Sequence, residues 1–570
     1  MATEREDDGL TPLGQSLGES LSVARHLLLV VAPLGLVVGA AIAAYDWVVN
    51  ELLWKRFAEL GIPARLALPA LGMLLTGLVL HWFRVRSSAM ADEVVKAYHD
   101  PESGIPMDTA GAKLVASVAT MGFGGSAGME GASKWLGATI GTLVQGRLNA
   151  LKLRAFHWDR RTTLLAGGAA GIAAIFRAPL SGAIMGIESP YKHDLALDAL
   201  APGLVASATS FWIFSRLRPG SPYFPIRFHY ELSTRDMLVA VPLGVSAGLA
   251  SHLFLATLRR IRKRFGDMPF PIYVRTGIGG VALVAIAYAA YRAVGSPVTL
   301  QAGLPVANRL LNGQYVLWAC LVIFSLKLLA TAVTFGSGGV GGLFVPTATI
   351  GAALGACWDA LLSHGHPGVY TILGIAGFSA ASYNSLLFSA VFVAEATGNV
   401  FLVAPALIAS TVAFLVSAGV SNSHAQRKKR PGLDEKLGTV PLERIMTRRI
   451  VTTSPDVTLE SFAHSVLVGH QFKALPVIDE RGIFQGMVGL AQLRRVPMVE
   501  WKRAVVLELL DARVPTLCPH HSAADAERLL GGGTADYVPI VDPGSYRLVG
   551  IVSRSDLYRA RGQATAERAA

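Results

Sequence analysis

A single carboxylate, Glu130, stands in a glycine-rich break between apolar segments of the chain. The stretch 122–141 reads GFGGSAGMEGASKWLGATIG, with glycine directly after Glu130 and, as Gly128, two residues before it. A helix that begins in apolar surroundings directs free backbone N–H groups and the positive end of its dipole at whatever precedes it. Glycine lets an anion approach such a backbone closely. A carboxylate at this point would itself be an anion at a helix start.

Helix starts of this kind are predicted at three places, and we expect them to act together. The hydroxyl of Ser103 adds a donor to the first of them. Several amide dipoles without a lysine or arginine inside the motifs suit a small monovalent anion that is held weakly enough to leave again. The motifs are ESGIP (102–106), GMEGA (128–132) and GGLFVP (341–346). The glycines expected to give an anion access to the backbone are Gly104, Gly128, Gly131 and Gly342.

The composition places these motifs in a membrane. Of the 570 residues, 52% are hydrophobic and only 16% are charged, and the mean hydropathy is +0.45. A soluble protein of this size would carry more charge. Apolar stretches long enough to span a bilayer are predicted at 24–54, 64–83, 236–258, 276–294, 316–335 and 401–420. Other apolar runs are broken by Gly, Pro or Ser, which is tolerated at membrane depth only inside protein or beside a polar cavity.

Charge predicts the orientation of the chain. The net charge is +12, and basic clusters occur at 84–86, 259–265, 427–430 and 447–449. Under the positive-inside rule these clusters predict cytoplasmic loops, and more weakly contacts with anionic lipid. We therefore expect a multi-pass protein of a plasma or bacterial inner membrane with both termini in the cytoplasm. Nucleic-acid binding is disfavoured, because no clustered aromatic or groove-reading element accompanies the basic residues.

The character of the sequence changes after residue 424. A polar, basic segment with a Pro-Gly break predicts a linker, and two similar copies of about 65 residues follow, each with a β-α-β-β-α pattern. The predicted organisation is an N-terminal cytoplasmic segment, a membrane domain, a linker, two soluble domains and a tail: 1–20, 21–424, 425–438, 439–500, 501–563 and 564–570.

The membrane part also contains an internal repeat. FRAPLSGAIMGIE (176–188) can be aligned with YNSLLFSAVFVAE (383–395): an aromatic residue opens each and a glutamate closes each after the same interval. The glycine-rich break at 122–141 has a counterpart at 336–355. Matched breaks in two halves predict an inverted-repeat transporter fold with its substrate site at the breaks. Chance similarity between apolar helices is the alternative.

In order and spacing, the motifs ESGIP, GMEGA and GSGGVGGLFVP resemble the three anion-site motifs of the CLC family of chloride channels and proton/chloride antiporters. The resemblance implies a mainly helical homodimer in which each subunit has its own pore, built from two inverted halves of tilted, partly broken helices. It places Ser103 and the backbone amides of Leu343 and Phe344 around a central chloride. It makes Glu130 the gating glutamate, which a proton or a competing chloride displaces.

The two soluble copies resemble a pair of cytoplasmic α/β CBS domains. In that family a hydroxyl residue after the last strand contacts the phosphate of an adenine nucleotide, and an aspartate three residues later takes the ribose. Ser553 and Asp556 match this pattern, whereas the first copy has Gly489 and Gln492 at these places. The resemblance therefore implies nucleotide binding near Ser553 and Asp556. A pair that only packs and dimerises is the alternative.

Two departures from the CLC pattern bear on the transport mechanism. The internal proton-carrying glutamate of the antiporters is replaced by Ser189, and the usual pore tyrosine has no match, with Ser421 or Asn422 near its place. Both departures favour a passive, pH-sensitive chloride channel with a CBS regulatory module. The alternative is a proton-coupled antiporter, for which the substitute proton carriers would be Glu188, Glu102 and His193. Glu102 would also add charge near the inner mouth.

Other classes of protein find little support in the sequence. A membrane metalloprotease with CBS domains would need an HExxH helix for zinc, and the sequence has none. The CPHH stretch (518–521) is poorly spaced for tetrahedral coordination, and the three cysteines are far apart. We therefore expect no enzyme, no metal site and no required cofactor.

Overall fold

The computed structural model describes residues 24–100, 104–151, 160–220, 222–226, 230–362, 368–429, 440–464, 473–531, 536–557 and 559. Its contacts divide the chain into two compact units, Met1–Lys429 and Arg430–Ala570. Among the described residues, the regular elements of the first unit are helices, with loops and isolated bridges between them, and the strands belong to the second unit.

The helical unit consists of two series of helices that correspond one to one. The first series is α1 (Ala24–Ala58), α2 (Ile62–Trp82), α3 (Met90–His99), α4 (Ala110–Gly122), α5 (Glu130–Ala150), α6 (Arg160–Phe176), α7 (Pro179–Glu188) and α8 (Leu200–Leu217). The second is α9 (Thr234–Gly266), α10 (Ile272–Val294), α11 (Leu304–Leu311), α12 (Leu317–Gly336), α13 (Phe344–Leu362), α14 (Val369–Tyr383), α15 (Leu386–Thr397) and α16 (Val403–Ser417).

Within the described residues, 8 helices are long and apolar enough to cross a membrane. They include all six predicted spans, together with Leu197–Leu217 and Phe344–Leu362. The last two were not predicted as uninterrupted spans, because Gly, Pro and Ser residues lower their apolarity. Helices such as α7, with 10 residues, are too short to span, because a span needs about 20 residues. The predicted mainly helical membrane fold is confirmed.

The bend that separates α6 from α7 is repeated between α14 and α15. Arg177 and Asn384 both adopt left-handed backbone conformations, with φ of 55° and 53°. The next residues, Ala178 and Ser385, are again alike in φ and ψ, at −137° and 82° against −134° and 88°. Non-glycine residues seldom adopt the left-handed conformation. Its recurrence at matched places is therefore evidence that the two halves share one architecture.

The glutamate that closes each repeat caps a helix of the other half. Glu188 accepts hydrogen bonds from the amides of Leu387 and Phe388, both at 3.0 Å, and from the hydroxyl of Ser385 at 2.7 Å. A carboxylate at a helix start satisfies free N–H groups and complements the dipole.

Glu395 makes the corresponding contacts in the opposite direction. It accepts from the amides of Leu180 and Ser181, at 2.9 and 2.7 Å, and from the hydroxyl of Ser181 at 2.5 Å. The two halves thus hold each other by equivalent bonds. Glu188 is used here as a structural cap, which is a different role from that of a substitute proton carrier.

The second unit contains two small antiparallel sheets. The first copy contains α17 (Leu459–His464), β1 (Ala474–Ile478), β2 (Phe484–Gly489) and α18 (Leu490–Leu493), and the second contains α19 (Ala523–Gly531), β3 (Tyr537–Val541) and β4 (Leu548–Ser553). β1 pairs with β2, and β3 with β4. The predicted first strand of each copy is reduced to single parallel bridges, Thr453 to Val477 and Leu517 to Ile540.

The two copies exchange their leading segments. Leu442 and Met446 lie at the start of the first copy but pack in the core of the second, with Val538 and Ile540. Val506, at the start of the second copy, packs with Phe462 in the core of the first. Neither copy therefore completes its core alone, which is consistent with an intramolecular pair.

Candidate functional site: a buried carboxylate where broken helices meet

The glycine-rich breaks of the two halves meet at one point. Gly128 and Gly342 form an antiparallel bridge in which each amide donates to the other carbonyl, at 2.8 and 2.6 Å. A Cβ atom on Gly342 would lie 2.4 Å from the amide nitrogen of Gly131 and 2.4 Å from the carboxyl carbon of Glu130. Only glycine fits at this crossing, which brings the first residues of α5 and α13, Glu130 and Phe344, to the same place.

The carboxylate of Glu130 lies at the start of α13. Its Oε1 accepts a hydrogen bond from the amide of Val345 at 3.1 Å, and the amide of Phe344 also interacts with it. Its Oε2 is buried and has no hydrogen-bond partner among the described residues. The side chain is only 3% exposed. A negative group thus occupies a helix start of the kind that binds anions.

A cavity of about 380 Å³ extends from this carboxylate. Gly131, Gly342, Leu343 and Phe344 line it beside Glu130. Its lining also includes Asp92 and the two exposed arginines Arg86 and Arg262, so that this end opens to the surface. The cavity therefore connects a basic entrance with the meeting point of the helices.

The other residues proposed from the sequence are placed as follows. Asn422 lines the cavity, whereas Ser421 is buried beside it and its hydroxyl donates to the carbonyl of Tyr383 at 3.4 Å. Glu102 and Ser103 lie outside the described residues. Gly104 has a left-handed φ of 57° and is not among the residues described as lining the cavity. The helix expected to start at ESGIP begins only at Ala110, because a loop follows the motif.

Ser189, which replaces the internal glutamate of the antiporters, also lines the cavity. Its hydroxyl donates to the carbonyl of Gly186 at 3.3 Å, and its own carbonyl accepts from Gln426 at 3.2 Å. These are structural bonds at the end of α7. No acid side chain stands at this position.

A tyrosine missed in the sequence analysis occupies the cavity. Tyr383, the aromatic residue that opens the second repeat, lies with its ring centroid 5.5 Å from that of Phe344. Its hydroxyl interacts with the side chains of Asn422 and Thr347. The sequence has no tyrosine near the end of the last membrane helix, and the ring that lines the cavity comes from the end of α14 instead. Its match with Phe176 in the aligned repeats was the available signal.

The second functional candidate lies in the soluble unit. A cavity of about 490 Å³ is lined by Ser553, Asp556, Arg449, Lys473 and Tyr537, among others. The Oδ2 atom of Asp556 accepts from the amide and hydroxyl of Ser553, at 2.8 and 2.6 Å. In the first copy, Gln492 accepts from the amide of Gly489 at 3.1 Å, which makes the same turn without a carboxylate. The lining of this cavity therefore combines basic side chains with the carboxylate of Asp556.

The fold and these breaks define a polytopic membrane transport protein built from two inverted repeats. The sequence profile of the voltage gated chloride channel family matches residues 71–418, and that of the CBS domain matches residues 442–498 and 506–562. The chain belongs to the voltage gated chloride channel (CLC) family and carries a CBS pair. It is accordingly an integral membrane protein for chloride transport.

Several characterised and putative transporters are similar to the chain. A putative chloride channel protein, ClcB-like, of Ralstonia nicotianae is 27% identical over 364 residues, covering 62% of this chain and 82% of that protein. An H⁺/Cl⁻ exchange transporter, ClcA, of Citrobacter koseri is 28% identical over 320 residues, covering 54% and 65%. A solved CLC-type fluoride/proton antiporter superposes with a TM-score of 0.61 at 24% identity, covering 74% of this chain and 100% of that one. At this identity the last match shows the fold alone.

Proposed function

We propose that this protein is a passive, pH-sensitive chloride channel in which Glu130 is the gate. The supporting observation is the hydrogen bond at 3.1 Å from the amide of Val345 to the Glu130 carboxylate. That carboxylate fills a helix start where an anion would bind. Ser103, Gly104, Gly128, Gly131, Gly342 and the amides of Leu343 and Phe344 are the proposed anion-binding groups.

The gate works by competition for one position. A deprotonated Glu130 is attracted to the start of α13 and excludes chloride, whereas a protonated one loses this attraction and swings away. Chloride can also displace the carboxylate directly, because both are monovalent anions. The other charged groups that line the cavity are Lys134, Asp92, Arg86 and Arg262. This arrangement predicts that the pore opens at acid pH and also at high chloride concentration.

Uncoupled flow is favoured by the lack of a proton carrier at the usual place. The Ser189 hydroxyl does not titrate, and the hydrogen bonds that the neighbouring Glu188 accepts from Ser385, Leu387 and Phe388 hold the start of α15. The second candidate is a proton-coupled antiporter, and Tyr383 favours it, because this ring narrows the cavity beside Phe344. A relative named as an exchange transporter is a further reason to test coupling.

Reversal potentials separate the two candidates. In liposomes with a tenfold chloride gradient, a channel reverses at chloride's Nernst potential of about 59 mV, the value for one charge and a tenfold ratio. We expect the same potential with and without a gradient of one pH unit. Empty liposomes are the control for leak. A shift of the reversal potential on imposing the pH gradient would overturn the channel assignment and support the antiporter.

We further propose that the CBS pair binds an adenine nucleotide at Ser553 and Asp556. Arg449 and Lys473 in the same cavity supply positive charge for phosphate. Chloride is the transported substrate, and no cofactor is needed for its passage. We also propose a homodimer in a plasma or bacterial inner membrane with both termini in the cytoplasm, supported by the basic clusters and by the family resemblance.

Nucleotide binding is tested on the full-length protein in detergent. The double variant Ser553→Ala, Asp556→Ala should lose adenine-nucleotide binding, measured by isothermal titration calorimetry, because it removes the hydroxyl proposed for the phosphate and the carboxylate proposed for the ribose. The matched control is Gln492→Ala at the equivalent turn of the first copy, which should bind as the wild type does. Binding that survives the double variant and fails in the control would place the site in the first copy.

A further inference from the structure

A buried lysine lies one helical turn beyond the gating carboxylate. Lys134 follows Glu130 by four residues on α5, so that the two side chains share a helix face. Both line the same cavity. Side chains on a helix lean toward its N-terminus, which directs the lysine toward the point where α5 and α13 meet.

Lys134 is enclosed but has no hydrogen-bond partner. The residue is 3% exposed, and its ammonium group makes no hydrogen bond or ion pair with any residue that the structure describes. Asp92, in the same cavity, acts on it only through its charge, beyond contact distance. A buried cation without a partner is costly, and an ammonium group offers three donors. These donors are available to a ligand in the cavity.

The fold does not require a lysine at this position. The matching residue on α13, counted from the first residue of each helix, is Ala348, which is fully buried. In the first half, Gly168 of α6 lies beside the lysine stem, with a Cβ position 3.5 Å from Cγ of Lys134. Its counterpart on α14, counted back from the end of each helix, is the bulky Ile375. The first half thus has lysine and glycine at the positions where the second half has alanine and isoleucine.

The other buried lysines of the helical unit differ in one respect. Lys113 pairs with Glu93, and Lys327 donates to the carbonyls of Thr299 and Gln301. Each of these ammonium groups is satisfied by the protein itself. Lys134 alone among these three faces a cavity with its donors unused.

We propose that the ammonium group of Lys134 is a further anion-binding group of the pore, which holds a small inorganic anion at an inner position while Glu130 occupies the start of α13. This inference rests on the proposed function, because it assumes that anions pass through this cavity. The ammonium is a compact charge with flexible donors. It offsets the negative charge of the anion and of Glu130 together, so that both can be present at once.

Chloride dependence of transport tests the proposal. In liposomes, Lys134→Met keeps the length of the side chain and removes its charge, so the chloride concentration for half-maximal flux should rise at least about tenfold, as expected for losing a hydrogen bond to a charged group. Maximal flux should be unchanged or higher. Lys134→Arg keeps the charge and should stay near the wild-type value. Lys96→Met, at an exposed position on α3, makes the same change in net charge and should have no effect.

Four results would decide whether Lys134 binds an anion. A tenfold rise of the half-maximal chloride concentration in Lys134→Met, without such a rise in Lys134→Arg or Lys96→Met, supports the inference. An unchanged half-maximal concentration in a folded Lys134→Met protein overturns it and leaves gating by Glu130 untouched, which is tested separately with Glu130→Gln. If Lys134→Met does not fold, crystals of the wild type grown with bromide replace it: an anomalous peak in contact with Nζ of Lys134 supports the inference, and bromide found only elsewhere in the cavity overturns it.

Discussion

Replacing Glu130 by glutamine is expected to remove most of the pH dependence of chloride flux and to leave the pore conducting. Glutamine has nearly the same size and cannot carry a charge, so the attraction of a negative charge to the start of α13 is lost at every pH. The start of α13 is then available to chloride throughout. Flux measured in liposomes between acid and neutral pH should be nearly constant, and at neutral pH it should exceed that of the wild type.

The control for Glu130→Gln is Asp92→Asn, which neutralises the other acid of the same cavity. Asp92 lies toward the open end and makes a long bond, of 3.4 Å, from the amide of His424. The Asp92→Asn variant should keep the wild-type pH profile, with only a modest change in the size of the flux. An unaltered pH profile in Glu130→Gln would show that a different group senses protons, and a changed profile in Asp92→Asn alone would identify that group.

The second large effect is expected from the capping glutamates. Glu188→Ala leaves the amides of Leu387 and Phe388 and the hydroxyl of Ser385 without an acceptor in the interior. Each unsatisfied buried donor costs about 1 to 3 kcal/mol, so the loss of three acceptor contacts should lower the free energy of unfolding by roughly 3 to 9 kcal/mol. Thermal unfolding in detergent, with size-exclusion chromatography as the readout, measures the loss of stability.

Glu395→Ala is the matched variant, because it removes the acceptor of an equivalent set of donors in the other half. Its loss of stability should be similar to that of Glu188→Ala. Glu188→Gln retains one acceptor oxygen and should lose less. A Glu188→Gln protein that is fully stable but has a changed proton dependence of transport would contradict the structural role and make Glu188 a proton carrier.

The internal repeat in the sequence predicted more of the architecture than the hydropathy pattern did. Aligning 176–188 with 383–395 placed a glutamate at the end of each unit, and in the structure these residues cap each other's halves. The sequence analysis missed Phe344–Leu362 as a span, because glycine and proline interrupt its apolar residues; in the structure this helix packs against α14. The prediction of a CLC-type fold with a CBS pair is confirmed.

The candidate site was predictable only where a motif carried it. Glu130 and the glycines around it signalled a helix start, and the bridge between Gly128 and Gly342 brings two such starts together. Tyr383 and Lys134 gave no comparable signal. Their place in the cavity depends on the bend at Asn384 and on the packing of α5 against α6, which are long-range features. Neither a tyrosine at the end of an apolar helix nor a lysine one turn into another helix indicates a binding site from the local sequence.

The reciprocal caps have a consequence for the origin of the chain. Each half lacks an acceptor that only the other half provides, so a single half would be incomplete as a monomer. Two identical copies inserted across the bilayer in opposite senses would have satisfied each other in the same manner. Such a dual-topology dimer, joined later into one chain, would account for the matched halves and for their divergence to a carboxylate at position 130 and an aromatic ring at position 344.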